Sequence, residues 1–318
     1  MTGMDAKTCK KEFSGLGLRM VVSALVIYGV QFAGQFILMS IHPEWIDNTD
    51  ILLASTMIPM YAIGYPLTFL ILTAGNKGQR IEKHKMKPTH FMLAFLMAYA
   101  LLMLGNIVGL GVTAGIGFLK GDPVDNSLVD IVGNGNIWIS AIYIVILAPI
   151  FEEYLFRKLI CDRVVKYGQG MAIIMSGVMF GLFHGNFNQF FYATFIGCFF
   201  AFIYVKTGNV KYTIGLHMIV NFIGSVLGGL MLQNLDFSGD LFNMPFSNMV
   251  IYAFYMLFIY GLVIAGGVLL LVNLSKFKTS PGMITLRKGN RFEISIINVG
   301  MFLYCEFFVI LMVVQALM

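Results

Sequence analysis

Residues 137–163 read I-W-I-S-A-I-Y-I-V-I-L-A-P-I-F-E-E-Y-L-F-R-K-L-I-C-D-R. The run has membrane-span character, yet it sets Glu152 and Glu153 side by side and places Arg157 four residues after the second. Ionisable side chains at membrane depth are costly, and those that occur face a bundle interior or a water-filled cavity. A helix carrying two such acids therefore needs other helices around it. That requirement points to an all-α, polytopic transmembrane bundle of about eight or nine spans with an internal polar cavity.

On a helix, Glu153 and Arg157 stand at i and i+4 and can pair on one face. Glu152 lies about 100° further around the axis and is not committed to Arg157. Two readings are open from these residues alone. The acids could form a structural ion-pair cluster at a helix end, or Glu152 could serve as a general base.

Composition fits the bundle. Of 318 residues, 58% are hydrophobic and only 12% charged, which excludes an ordinary soluble domain and gives no footing for nucleic-acid binding. The N-terminal stretch has a basic start without a small-residue cleavage site, and is expected to lead into a retained first span. Cys9, Cys161, Cys198 and Cys305 are scattered, without the spacing of a disulfide framework or a thiolate metal site.

Apolar segments place about nine spans near 16–41, 51–74, 91–119, 137–156, 171–188, 190–205, 212–231, 249–274 and 295–318. Residues 1–318 are read as one membrane domain, with a core at about 137–231 flanked by spans over 16–119 and 249–318. Alternate loops hold 19 of the 21 basic residues, whereas the intervening loops carry Glu44, Asp47, Asp122, Asp125, Asp130, Asp236 and Asp240. The positive-inside rule then puts the N-terminus in the cytoplasm. The segment 171–188 is irregular, because its apolar part is short and runs into H-G-N-F-N-Q. A broken or partial span lining a cavity is expected there.

Among the five histidines, His42, His84 and His90 fall in loops or at span edges and are read as solvated. His184 and His217 lie in or beside apolar segments, where a lone histidine is usually a satisfied packing residue. His217 and Asn221 stand at i and i+4, so imidazole and amide point the same way and could hold a developing oxyanion. Glu306, in the last apolar segment, is read as a packing or interhelical hydrogen-bonding group. Arg19 is expected to snorkel to the interface.

Three stretches together carry a family likeness. F-E-E-Y-L-F-R (151–157), F-G-L-F-H (180–184) and H-M-I-V-N (217–221) resemble the ordered motifs EExxxR, FxxxH and HxxxN of one family. It is the CAAX prenyl endopeptidase and bacteriocin-processing family (CPBP, or Abi) of intramembrane proteases. The stretch Y-V-K-T-G-N-V (204–210) resembles that family's connector. The resemblance implies that Glu152 activates the attacking water and that His184 helps to bind it. His217 and Asn221 would form the oxyanion hole, Glu153 and Arg157 would hold the architecture, and Phe180 would pack. It further implies a glutamate-type enzyme without a cofactor. The expected reaction is hydrolysis of a peptide bond near the cytoplasmic side of the bilayer. Zinc held by Glu152, His184 and His217 is the alternative, since three protein ligands and an open position make a hydrolytic zinc site.

Expected substrates are prenylated C-termini, leader or signalling peptides, or other membrane proteins, in what is expected to be a bacterial plasma membrane. The oligomeric state has no sequence signal. Two rivals stand beside the protease: a non-proteolytic scaffold or bacteriocin-immunity protein, and a proton-coupled transporter. The transporter lacks the paired broken helices of an internal repeat. One geometric difficulty accompanies the resemblance. At ~1.5 Å per residue, His184 lies about 20 Å from Met171, whereas Glu152 and His217 fall nearer the cytoplasmic ends of their expected spans. They meet only if the fifth segment tilts, starts later, or bounds a deep cavity.

Overall fold

The computed structural model describes residues 5–75, 78–234 and 245–318; Asp236 and Asp240, used above to sort the loops, and Lys77, one of the 19 basic loop residues counted there, lie outside the described residues. The described residues are helical wherever they are strongly apolar, as lipid demands: a helix satisfies every interior backbone group from within the segment. In chain order the main helices are α1 (Ala6–Ile41), α2 (Thr49–Thr73), α3 (Pro88–Lys120), α4 (Ser127–Asn134), α5 (Ile137–Tyr167) and α6 (Gln169–Phe183). They continue with α7 (Phe187–Thr207), α8 (Val210–Gln233), α9 (Phe246–Lys276), α10 (Arg291–Ser295) and α11 (Val299–Leu317). Eight of these, all but α4, α6 and α10, are long and apolar enough to cross a membrane. The chain is a polytopic helical membrane protein.

Asparagine starts many of the helices. The side-chain oxygens of Asn48, Asn136, Asn186, Asn209 and Asn298 each accept a backbone N–H from the first turn of α2, α5, α7, α8 and α11 respectively. Each cap satisfies donors that the helix itself leaves unpaired.

Two span assignments change. α5 runs to Tyr167, not to about residue 156. Its charged second half looks like a loop in sequence, but these side chains find partners on the helix: Arg157 on Glu153, Lys158 on Asp162 and an Arg163 Nη on the Leu159 carbonyl. The fifth segment contracts to α6, whose 15 residues span roughly 22 Å, short of the ~30 Å hydrocarbon core. It is the partial span that the polar H-G-N-F-N-Q stretch foretold.

The connecting segments gather at two poles. At the basic pole, Gln79 N–H donates to the Asp162 carbonyl (2.6 Å), His84 N–H to Thr207 (2.8 Å) and Ile284 N–H to Lys166 (2.9 Å). At the acidic pole, Asn136 N–H donates to the Asp50 carboxylate (2.7 Å), while Asn188 and Gln315 both donate to the Asp125 carbonyl. Between them α5, α6 and α7 form the centre of the bundle. Leu155, Phe156, Ile160 and Cys161 of α5 are buried against Met175 and Met179 of α6 and Phe200 and Tyr204 of α7. α6 and α7 approach closely at glycine: a Cβ on Gly177 would run into the Cys198 backbone. Small residues permit such contact where no hydrophobic drive acts between helices.

Candidate functional site

The hairpin of α5 and α6 resolves the distance problem. The chain reverses at Gly168, with φ +119°, a conformation that a side-chain-bearing residue rarely adopts. Glu152 lies 16 residues before that glycine and His184 lies 16 after it. At ~1.5 Å per residue both arms rise about 24 Å from the turn, so the two residues arrive at one depth. Because α5 is longer than its expected span, Glu152 falls midway along it and not near the basic end.

Glu153 points into the bundle and is fully buried. Its carboxylate accepts both Arg157 Nε (2.9 Å) and Nη2 (3.1 Å), a bidentate pair at i and i+4. Arg157 Nη1 donates to Ser176 Oγ (2.8 Å), whose own hydroxyl donates to the Phe156 carbonyl (2.9 Å). The guanidinium also lies 4.8 Å from the centre of the Phe180 ring. Glu153, Ser176 and Phe180 thus fix one buried cation.

The same carboxylate has a second duty. Glu153 Oε1 lies 3.1 Å from His217 Nδ1, which orients the imidazole and directs Nε2 to the other side. There Nε2 stands 3.9 Å from Glu152 Oε2. His184 is held differently: its Nδ1 is 2.9 Å from the Phe180 carbonyl. A carbonyl only accepts, so Nδ1 carries the proton and Nε2 keeps a lone pair. Phe180 separates the two rings, standing edge to face with His184 at 4.8 Å and with His217 at 5.9 Å. Asn221 donates through Nδ2 to the Ile144 carbonyl at 2.8 Å, leaving the second amide hydrogen unspent.

Glu152, His184, His217 and Asn221 line one cavity of about 300 Å³, and Phe180 forms part of its wall. From the depth of Glu152 the cavity extends toward the acidic pole. Leu53 and Met57 of α2, Tyr143 and Ile144 of α5, and Gln189 and Tyr192 of α7 line it, and all three helices begin at the acidic pole. Toward the basic pole, Leu155, Phe156, Leu159 and Ile160 close α5 into solid packing.

π-helical turns flank the motifs. Ile142–Leu147 and Tyr154–Cys161 bracket the first on α5, Phe222–Leu227 follows Asn221, and Met60–Gly64 brings Tyr61 to the wall. Such turns leave backbone carbonyls out of the regular ladder and recur at functional sites. Here Asn221 takes the Ile144 carbonyl and the Tyr61 hydroxyl reaches that of Tyr143 (3.3 Å). Motif spacing does not single out Tyr61, Tyr143, Gln189 or Tyr192. Tyr61 and Tyr65, stacked 5.6 Å apart at i and i+4, are the one visible hint.

His42, His84 and His90 lie away from the cavity, and Glu306 is exposed on α11. Among the described residues, no three His, Cys, Asp or Glu side chains converge closely enough to hold a metal ion. Glu152, His184 and His217 share a wall without forming a ligand cage.

Comparison with known proteins converges on the same core. Residues 134–223, a little over a quarter of the chain, match the family model of type II CAAX prenyl endopeptidases, Rce1-like. The match agrees with the likeness that the three motifs carry to the CAAX prenyl endopeptidase and bacteriocin-processing family. The chain is also similar to YdiL of Bacillus subtilis (strain 168), named as a candidate membrane peptidase, with 34% identity over 77 residues. That stretch is 24% of this chain and 32% of the relative, so the chain spans about a third of the length of the relative it matches. No solved structure matches the chain. The family block holds all three motifs and ends just beyond Asn221.

Proposed function

We propose that this protein is an intramembrane endopeptidase that hydrolyses a peptide bond in the cavity between α2, α5, α7 and α8. A single observation carries the reading: four polar side chains from three separated motifs line one cavity at mid-bundle depth. Water held there would donate one O–H to the Glu152 carboxylate and the other to the His184 Nε2 lone pair. Its oxygen lone pair would then face the carbonyl carbon of the substrate.

On attack, the water oxygen bonds to the carbonyl carbon, Glu152 takes the proton, and the carbonyl oxygen becomes an oxyanion. The free Asn221 N–H is one donor to that oxyanion. His217 is the other; with Nδ1 engaged by Glu153, the donor must be Nε2, and the ring then carries both protons. Collapse breaks the C–N bond as Glu152 returns its proton to the leaving amine, giving a carboxylic acid and an amine; the acid's remaining proton then passes to the amine, leaving a carboxylate and an ammonium. Glu153 and Arg157 act by positioning His217 and the helix.

The mechanism proposed is metal-independent, since each of these steps uses groups of the chain itself. The substrate is a peptide or a membrane protein whose scissile bond enters at mid-depth, so a site near the cytoplasmic edge is no longer the favoured reading. The N-terminus is placed in the cytoplasm by loop charge, and the host membrane is taken to be a bacterial plasma membrane. The test is cleavage of candidate membrane peptides in detergent by the purified protein and by Glu152→Ala, read by mass spectrometry. Product formation that survives the substitution sinks the mechanism.

A further inference from the structure

A second cavity, of about 500 Å³, lies at the basic pole between the start of α1, residues 78–79 and the end of α5. We propose that it binds the phosphate headgroup of an anionic phospholipid through Lys11, Arg19 and Arg163. Four cations line it, these three and Lys166, against one acid, Glu12. That acid is already engaged: the Tyr167 hydroxyl donates to its carboxylate at 2.6 Å, and Lys166 forms an ion pair with it. Asp162, beside Arg163 in sequence, is taken by Lys158 and by the Tyr204 hydroxyl at 2.8 Å. Lys11, Arg19 and Arg163 therefore have no carboxylate within ion-pair distance among the described residues.

The guanidiniums are prepared for an anion. Arg163 is held by the Leu159 and Leu72 carbonyls through its Nη atoms, while its buried Nε has no hydrogen-bond partner. Gly75 at φ +90° leaves room for Arg19, whose Nη2 would lie 2.9 Å from any Cβ at that position. Two guanidiniums and an ammonium converging without a counter-charge match a phosphate's several acceptor oxygens.

A lipid is favoured over a soluble phosphate ester by the rest of the lining. Phe13, Leu16 and Val164 give the cavity an apolar floor continuous with the bundle, as a glycerol backbone and acyl chain require. The cavity also sits where α1 and α5 reach the basic pole, the level at which inter-helix basic pockets meet acidic headgroups.

The experiment uses the full chain in neutral detergent, with lipid binding read by native mass spectrometry and by thermal shift. Phosphatidylglycerol, phosphatidylcholine, glycerol 3-phosphate and inorganic phosphate are compared. Phosphatidylglycerol should bind and raise the melting temperature, and phosphatidylcholine should not. Arg19→Gln, at a side chain with no protein hydrogen bond among the described residues, should weaken phosphatidylglycerol by about tenfold, the loss of one charge-assisted contact. Lys11→Gln in addition should weaken it further, and Arg19→Lys should restore part of the loss. Equal binding of the two lipids, or unchanged affinity in the double variant, overturns the site. Displacement of phosphatidylglycerol by glycerol 3-phosphate or inorganic phosphate at comparable concentration overturns the lipid assignment in favour of a soluble anion.

Discussion

Glu153 and His217, 64 residues apart in sequence, meet at 3.1 Å between Oε1 and Nδ1 inside the bundle. The contact joins the first and third motifs through the one carboxylate that Arg157 also clamps. The adjacent acids thereby take different roles, with Glu153 orienting the imidazole and Glu152 left facing the cavity.

That division predicts opposite behaviour for neighbouring positions. Arg157→Met strands a buried carboxylate and should lower stability by about 3–5 kcal/mol. Glu152→Gln breaks no hydrogen bond among the described residues and should leave melting in detergent nearly unchanged. In the same preparation it should reduce cleavage by about 10²-fold or more. A Glu152→Gln protein that unfolds as readily as Arg157→Met would show that both acids are structural.

Asn221 combines two jobs, and substitutions can separate them. Asn221→Asp keeps the volume but loses both N–H donors and sets a carboxylate against the Ile144 carbonyl. It should be destabilised as well as inactive. Asn221→Ser retains one donor, and its cleavage rate should fall by about 10²–10³, the range for one missing oxyanion donor. Activity equal to that of the unaltered protein in both variants would remove Asn221 from the reaction.

Metal dependence has a direct check. Cleavage should persist after exhaustive treatment with a strong zinc chelator and should not rise on adding zinc. Loss with the chelator and recovery with zinc would mean that Glu152, His184 and His217 draw together around an ion.

The extension of the cavity toward the acidic pole predicts a direction of approach. In a background with the native cysteines replaced, Met57→Cys and Tyr143→Cys should react with a membrane-impermeant thiol reagent from the acidic pole. The positive-inside rule predicts that this pole faces away from the cytoplasm. In intact cells, labelling should therefore occur without permeabilisation. Labelling that appears only after the membrane is opened would reverse either the orientation of the bundle or the mouth of the cavity.

Much of this is legible in the sequence because it depends on short-range spacing. The Glu153–Arg157 pair follows from four residues of helix, and the alternation of basic and acidic loops follows from membrane topology. The end of α5 is hidden because Lys158, Asp162 and Arg163 resemble a loop until their partners are known. The asparagine caps are open to view, but asparagine is as much at home in a turn as at a helix start. The Glu153–His217 contact and the tyrosine wall depend on how α5, α8 and α2 pack, and no local pattern encodes that.

The equal arms about Gly168 constrain how the chain can vary in length. Deleting one residue from α6 between that glycine and His184 would lower the imidazole by ~1.5 Å and swing it about 100° around the helix. It would then face away from Glu152. Loops elsewhere can lengthen at little cost, but this hairpin admits no single-residue insertion or deletion on either arm between Gly168 and the site. Its 32-residue separation of Glu152 from His184 is a fixed dimension of the protein.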